Sequence, residues 1–303
     1  MKAILIVNMG GPLSEKDMEF FLLKMFNDKR IIGAPKLIRK FIANKITRKR
    51  YKKSWEKYQL IGGTPIIKNT ELTAKELIKH LPKEYLVDFA FSYSNPLIYN
   101  TIEKLADKGA TEIKIIALYP QESFTTTKSV EDDMLIAAKN FPKIKISMNG
   151  NFSDNTNFIN FWVEIIQNHI KENNLQNPLL IYSAHSIPQY LVEKGDKYGE
   201  NIERSAKLIS EKLNLKYKVC YQSKIGKLKW LGPDTKESIS EMSPENEIIF
   251  VPISFVSENL ETLYDIECEI IPFAKETGKF NHISRIKIPV THELMTKTIL
   301  DLI

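Results

Sequence analysis

Eight short apolar runs, separated by stretches of helical periodicity, constrain this chain more than any other feature. They occupy residues 3–7, 85–91, 113–118, 144–148, 179–182, 217–221, 248–253 and 285–288. A run of this length bounded by turn residues is the mark of a strand buried on both faces. Strands that alternate with helices are joined by right-handed crossovers and form parallel sheets. The class expected is therefore α/β. A length of 303 residues favours roughly two domains. The polar stretch 150–155 is the natural hinge, giving lobes of 1–150 and 151–303 in which the second repeats the first in outline.

The unusual segments NMGGP, YSNP, YPQES, SAHSIP, YQSKIG and SFVSENLET all follow strand ends. Open α/β sheets bind ligands outside the carboxyl ends of their strands, so these segments would share a cleft. His185 stands just past the run 179–182 and is the first candidate for chemistry; an ordinary loop histidine is the alternative. After the run 248–253, Ser257 can cap a helix on which Glu261, Asp265 and Glu269 recur at every fourth position. Like charges so spaced repel by a few tenths of a kcal/mol per pair. A row of carboxylates can hold hydrated divalent cations or relay protons, and a solvated acidic face is the bland reading. Trp230 lies in a Gly- and Pro-containing loop, where it either meets a flat apolar ligand or anchors the loop. The segment FFLLKMF at 20–26 either lines an apolar cleft or is core. The hydroxyls after YPQ either hold an anion at a helix N-terminus or cap that helix.

The formal charge of +6 is concentrated in one place. Residues 29–53 hold eleven Lys or Arg and no acid, leaving 32 basic and 37 acidic residues elsewhere. Lysines and arginines there interleave with Leu37, Ile38, Phe41, Ile42 and Ile46. An amphipathic basic helix can lie on an anionic membrane or receive an acidic substrate; a solvated face is the alternative. Nucleic acid is disfavoured, because no nucleic-acid motif accompanies the patch. Two cysteines, Cys220 and Cys268, are too few for a disulfide framework, so a reducing cytoplasm is expected. No leader and no membrane span are expected either, since no apolar run is long enough.

Taken in order, NMGGP (8–12), FLLKMF (21–26), IGGTP (61–65), YPQ (119–121), SAHSIP (183–188) with GDKY (195–198), QSKIGKLKWLGPDT (222–235) and ETL (261–263) resemble the ferrochelatases, which insert ferrous iron into a porphyrin. Their shared order over nearly the whole chain makes the resemblance specific. It implies two Rossmann-like lobes with the porphyrin in a cleft between them, Fe2+ and porphyrin as substrates, and no organic cofactor. Position by position, it implies His185 and Glu261 as the catalytic and metal-binding pair and Asp265 and Glu269 as an acidic relay behind them. Met9, Phe21, Leu22, Met25, Thr64 and Trp230 are then porphyrin-binding. The form NMGGP, with Met9, resembles the protoporphyrin-using branch. The chain ends at Ile303 without the Cys-rich extension of some relatives, so no iron–sulfur cluster is expected.

Three positions depart from the family pattern. Asn259 stands where many members have a second histidine, Ser92 where an arginine is common, and Glu122 where an aromatic is usual. They keep in view a haem- or porphyrin-binding protein without turnover; the rival within enzymes is a cobalt or nickel tetrapyrrole chelatase, which would share the fold and the histidine. In the reading adopted, neutral His185 accepts a pyrrole proton or ligates iron, Glu261 orients it, and the apolar walls hold the porphyrin bent.

Overall fold

The computed structural model describes residues 1–224, 226 and 228–303. The chain divides into two compact units, Met1–Asn151 with Ile299–Ile303, and Phe152–Thr298.

The first unit runs β1 (Lys2–Asn8), α1 (Glu15–Phe26), α2 (Lys36–Leu60), α3 (Pro65–Leu77), β2 (Tyr85–Phe91), α4 (Ile98–Asp107), β3 (Glu112–Ala117), α5 (Thr127–Asn140) and β4 (Lys145–Asn149). Its four strands are all parallel, in the order β2-β1-β3-β4. The central strands carry the continuous apolar sequence because both faces are covered: Leu5, Ile6, Val7, Ile115 and Ile116 have no accessible surface. On one face they meet Ile98, Ile102 and Leu105 of α4 and Val130 and Ala137 of α5. Each fully buried side chain of this size stabilises the fold by about 1.5–3 kcal/mol. α1 starts where its capping box predicts. The Ser14 hydroxyl accepts the Asp17 N–H (3.2 Å) and donates to the Asp17 carboxylate (2.8 Å).

The second unit runs α6 (Thr156–Glu172), β5 (Leu179–His185), α7 (Gln189–Glu193), α8 (Tyr198–Leu213), β6 (Tyr217–Gln222), α9 (Thr235–Glu241), β7 (Glu245–Val251), a π-helix (Glu261–Ile270), α10 (Ile271–Glu276), β8 (Phe280–Arg285) and α11 (Glu293–Asp301), whose last residues from Ile299 belong to the first unit. Its sheet is also parallel, in the order β6-β5-β7-β8. This is the permutation of the first sheet, so the repetition seen in outline extends to topology.

Three strands depart from the sequence expectation by three residues or more at one end, and the first is that expected at 248–253, which runs Glu245–Val251. The strand expected at 179–182 continues through Ser183 and Ala184 to His185, paired with Cys220, Tyr221 and Gln222 of β6. The small polar residue that reads as a turn is tolerated inside the sheet because the buried Ser183 hydroxyl donates to Gln222 Oε1 (2.7 Å). The last strand is 280–285 rather than 285–288. β8 is an edge strand with a half-buried sequence, so it lacks the signature of the central strands. Ile286 and Ile288 are buried beyond its end, and the Ile286 N–H still bonds the Phe250 carbonyl (2.9 Å).

Candidate active site

In the order β6-β5-β7-β8 the chain reverses its direction of growth between β5 and β7, the topological switch point at which open α/β sheets bind ligands. Two side chains meet there. His185 is the last residue of β5, opposite Gln222, and its Nδ1 lies 2.8 Å from Glu261 Oε2 on the π-helix that follows β7. The imidazole is 37 % exposed and the carboxylate 20 %, so the pair is open to solvent on one side. With Nδ1 occupied by the carboxylate, the neutral tautomer carries its proton on Nδ1 and its lone pair on Nε2.

The helix bearing Glu261 is unusual. Its cap is Asn259, whose Oδ1 accepts the N–H groups of Glu261 (2.8 Å) and Thr262 (3.2 Å). Ser257, the cap expected from sequence, instead donates its hydroxyl to the Glu258 carbonyl (3.3 Å). Asparagine is as good a cap as serine, and its place three residues before Thr262 was the signal for it. The helix then takes the wide i→i+5 turn, ending with the Ile271 N–H on the Ile266 carbonyl. Thr262, Ile266 and Ile270 are all buried, and Ile266 and Ile270 pack on Ile181, Ile248 and Phe250 of the sheet. In an α-helix a row at every fourth position drifts by about 40° per step. Here Thr262, Ile266 and Ile270 stay buried at that spacing, so positions four apart share one face of this wider helix, and the acidic row one residue before them follows the same spacing.

Ser223 joins the first two acids. It has left-handed backbone (φ 65°), and its hydroxyl lies 2.5 Å from Asp265 Oδ2 and 3.2 Å from Glu261 Oε2. One hydroxyl proton serves one carboxylate at a time, so the serine donates to one and receives from the other when that one is protonated. The contacts form a chain His185, Glu261, Ser223, Asp265. Glu269 is part-buried farther along the same helix. Sequence reading marked YQSKIG as a strand-end segment but missed Ser223 within it, because a serine has no titratable signature.

Burial lowers the His185 pKa, but the charge and hydrogen bond of Glu261, followed by the charge of Asp265, outweigh it and leave the imidazole above its ordinary value. Tyr198, in the GDKY segment, is pushed well up, first by burial and then by nearby acids including Glu261, so its phenol stays protonated. Among the described residues, no group of three His, Cys, Asp or Glu converges as a metal cage.

The loop bearing Trp230 is stitched to the segment after His185. Trp230 pairs antiparallel with Pro188, Leu231 N–H bonds the Ile187 carbonyl (2.8 Å), and the Ser186 hydroxyl donates to the Leu231 carbonyl (2.7 Å). Positions 225 and 227 of the QSKIGKLKWLGPDT segment lie outside the described residues.

The other candidates belong to the first unit. Met9 follows β1, its N–H on Asn8 Oδ1 (2.8 Å), and its side chain is partly exposed. Gly10 and Gly11 are required by close approach: a Cβ at Gly10 would lie 1.9 Å from Ser94 Oγ, and one at Gly11 2.4 Å from Thr64 Cγ2. The Thr64 hydroxyl donates to the Pro12 carbonyl, so its proton is used to hold the NMGGP turn. Phe21 and Leu22 are buried, Phe21 edge-on to Tyr93, as core residues are, whereas Met25 is partly exposed. Ser92 is buried. Glu122 lines a pocket of about 420 Å³ with Lys128, Glu131 and Asn149.

The ferrochelatase family model matches residues 1–303. A ferrochelatase of Sulfurimonas denitrificans is 33% identical over 99% of this chain and 98% of its own. One of Campylobacter concisus is 37% identical over 91% of this chain and 89% of its own. Among solved structures, the cobalt complex of the sirohydrochlorin chelatase SirB from Bacillus subtilis aligns with a TM-score of 0.60 at 14% identity, covering 99% of this chain and 93% of its own. At that identity the likeness concerns the fold, which is chelatase-like.

Proposed function

The chain belongs to the ferrochelatase family, and from that premise we propose that it inserts Fe2+ into protoporphyrin IX to form protohaem, with His185 and Glu261 as the reacting pair. The observation that carries the assignment is the 2.8 Å contact between His185 Nδ1 and Glu261 Oε2 at the switch point of the second sheet.

Insertion exchanges two pyrrole protons for one Fe2+, with no change in oxidation state. His185 Nε2, carrying the lone pair, takes the two pyrrole protons one after the other, and Glu261 stabilises each imidazolium that results and receives its Nδ1 proton, returning the imidazole to neutral. Imidazole nitrogen and carboxylate oxygen are also suitable first ligands for incoming Fe2+. Ser223 and Asp265, in contact with Glu261, lead the proton away, and Glu269 extends the acidic row. Met9, Phe21, Leu22, Met25, Thr64 and Trp230 are the porphyrin-binding set carried over from the family pattern, with the partly exposed Met9, Met25, Thr64 and Trp230 better supported by their accessibility than the buried Phe21 and Leu22. The reaction so written uses no organic cofactor and no iron–sulfur cluster. The test is anaerobic Fe2+ insertion by the purified protein, with protoporphyrin and coproporphyrin in parallel and Co2+ and Ni2+ as competitors. Tight porphyrin binding without insertion would sink the enzymatic reading.

The basic segment 29–53 is proposed as a peripheral contact with anionic membrane. What supports it is the outer face of α2, where Leu37 is 82% and Phe41 70% exposed beside Lys36 and Lys40. Apolar residues among lysines suit the boundary between headgroups and acyl chains. Among the described residues, no helix is long and apolar enough to cross a membrane. Phe41→Ser should reduce sedimentation with vesicles containing anionic lipid; equal binding of both proteins to neutral and anionic vesicles would remove the assignment.

A further inference from the structure

We propose that Arg285 and Glu258 are positioning residues, a buried clamp that fixes the pitch of the π-helix and thereby the aim of Glu261 at His185. The inference rests on the assignment of that pair above.

Arg285 is the last residue of β8, and its side chain is only 2% exposed. Its Nη1 donates to both Glu258 oxygens (2.9 and 3.1 Å) and to the Ile286 carbonyl (2.8 Å). Its Nε and Nη2 both donate to Glu267 Oε1 (3.1 and 2.5 Å). Glu258 is itself held from a third side by the Ile288 N–H (2.8 Å), and it accepts the Thr262 hydroxyl. That hydroxyl oxygen accepts the N–H of the cap residue Asn259 (3.0 Å). One rigid guanidinium thus grips a residue just before the cap and another two-thirds of the way along the helix, with Glu261 and Asp265 between them.

Two physical arguments give this a role in aiming a side chain as well as in folding. A buried ion pair is weak evidence for stability, because apolar replacements of similar shape often do as well, and fixing register is its best-attested use. The i→i+5 turn is also rare beside the common i→i+4 turn, to which a helix not held at both points can relax. Such relaxation would rotate the acidic row by about 40° per four residues and draw Asp265 off Ser223. The planar fork of arginine suits a clamp with two carboxylates, and lysine cannot reproduce it.

The test is a double-mutant cycle on Fe2+ insertion. Arg285→Met is measured in the native background and in Glu261→Gln, with thermal melts and porphyrin KM alongside. In the native background kcat should fall roughly ten- to a hundredfold, the scale of a side chain misplaced by about an ångström, with porphyrin KM unchanged. In Glu261→Gln the same substitution should have little further effect, because it acts through Glu261. Equal losses in both backgrounds, or native kcat in folded Arg285→Met, would overturn the clamp. If Arg285→Met does not fold, Thr262→Val decides by the same criteria, since it removes the hydroxyl that ties Glu258 to Asn259 and leaves the guanidinium in place. Native turnover in Glu261→Gln would sink the His185–Glu261 assignment itself, and the clamp with it. A Glu261→Gln defect without an Arg285→Met or Thr262→Val defect would sink the clamp alone.

Discussion

β1 and β5 occupy the same place in their sheets, yet their last residues behave in opposite ways. Asn8, opposite Phe91, is buried; its amide donates to Thr70 Oγ1 (3.3 Å) and its oxygen accepts the Met9 N–H. His185, opposite Gln222, stays partly open and reaches an acid on another element. The helices after the third strands differ in the same way: α5 is a regular α-helix, whereas the one after β7 is a π-helix with Glu261 and Asp265 bridged by a serine. One topology therefore presents the same edge twice. Only where the polar tips are left unspent by local hydrogen bonds can the edge carry acid–base chemistry, which is why fold alone does not specify function.

The strongest way to break this comparison is to remove both strand-end residues. His185→Ala should cut metal insertion by about 10²–10⁴-fold, the usual scale for a positioned acid–base group, with little change in Tm. Asn8→Ala should do the reverse, costing about 1–3 kcal/mol through unsatisfied buried partners while the folded protein turns over normally. Loss of turnover at unchanged Tm in Asn8→Ala would show that the two edges are not as different as drawn.

Next in size is the packing beneath the acidic row. Ile266 has no accessible surface, so Ile266→Ala should lose about 2–5 kcal/mol in denaturant unfolding. Leu135 on α5 is half exposed, and Leu135→Ala should change stability by less than about 0.5 kcal/mol. Comparable losses at both positions would erase the distinction.

The units should also separate by pH. In the first, burial pushes the Asp133 carboxyl up to about 6, with Lys24 opposing and Asp28 and Asp132 adding to the rise. A carboxyl so raised contributes stability below its ordinary pKa that is lost as pH climbs through 6. Asp133→Asn should therefore be stabilising by up to about 1–3 kcal/mol above pH 6, with the gain vanishing toward pH 4; a gain that grew on acidification would contradict the burial argument. In the second unit the acids win over burial, so Glu261→Gln should lower the His185 pKa in an imidazole NMR titration. An unchanged midpoint would mean that Glu261 is not its counter-charge.

A modest contrast concerns the caps. Ser14→Ala should cost about 0.5–2 kcal/mol without touching turnover. Asn259→Ala should cost a similar amount of stability and lower kcat as well, because it holds the N–H of Glu261 itself.

Much of this was legible in the chain. Central parallel strands are buried on both faces, so their apolar runs are a local property, and so is the capping box at Ser14. The residue types of His185 and Glu261 made them candidates for acid–base or metal chemistry, and the ordered motifs pointed to the family that the whole-length match shows. What sequence left open depends on partners far away in the chain. That β5 runs on through Ser183 follows from a hydroxyl bond to Gln222. That β8 is FNHISR follows from its place at the sheet edge. The burial of Phe21, the bridging by Ser223 and the grip of Arg285 on Glu258 and Glu267 likewise arise only when separate elements pack. Periodicity reports whether a face is covered, but a single hydrogen bond is set by distances of a few tenths of an ångström, which only the assembled tertiary structure fixes.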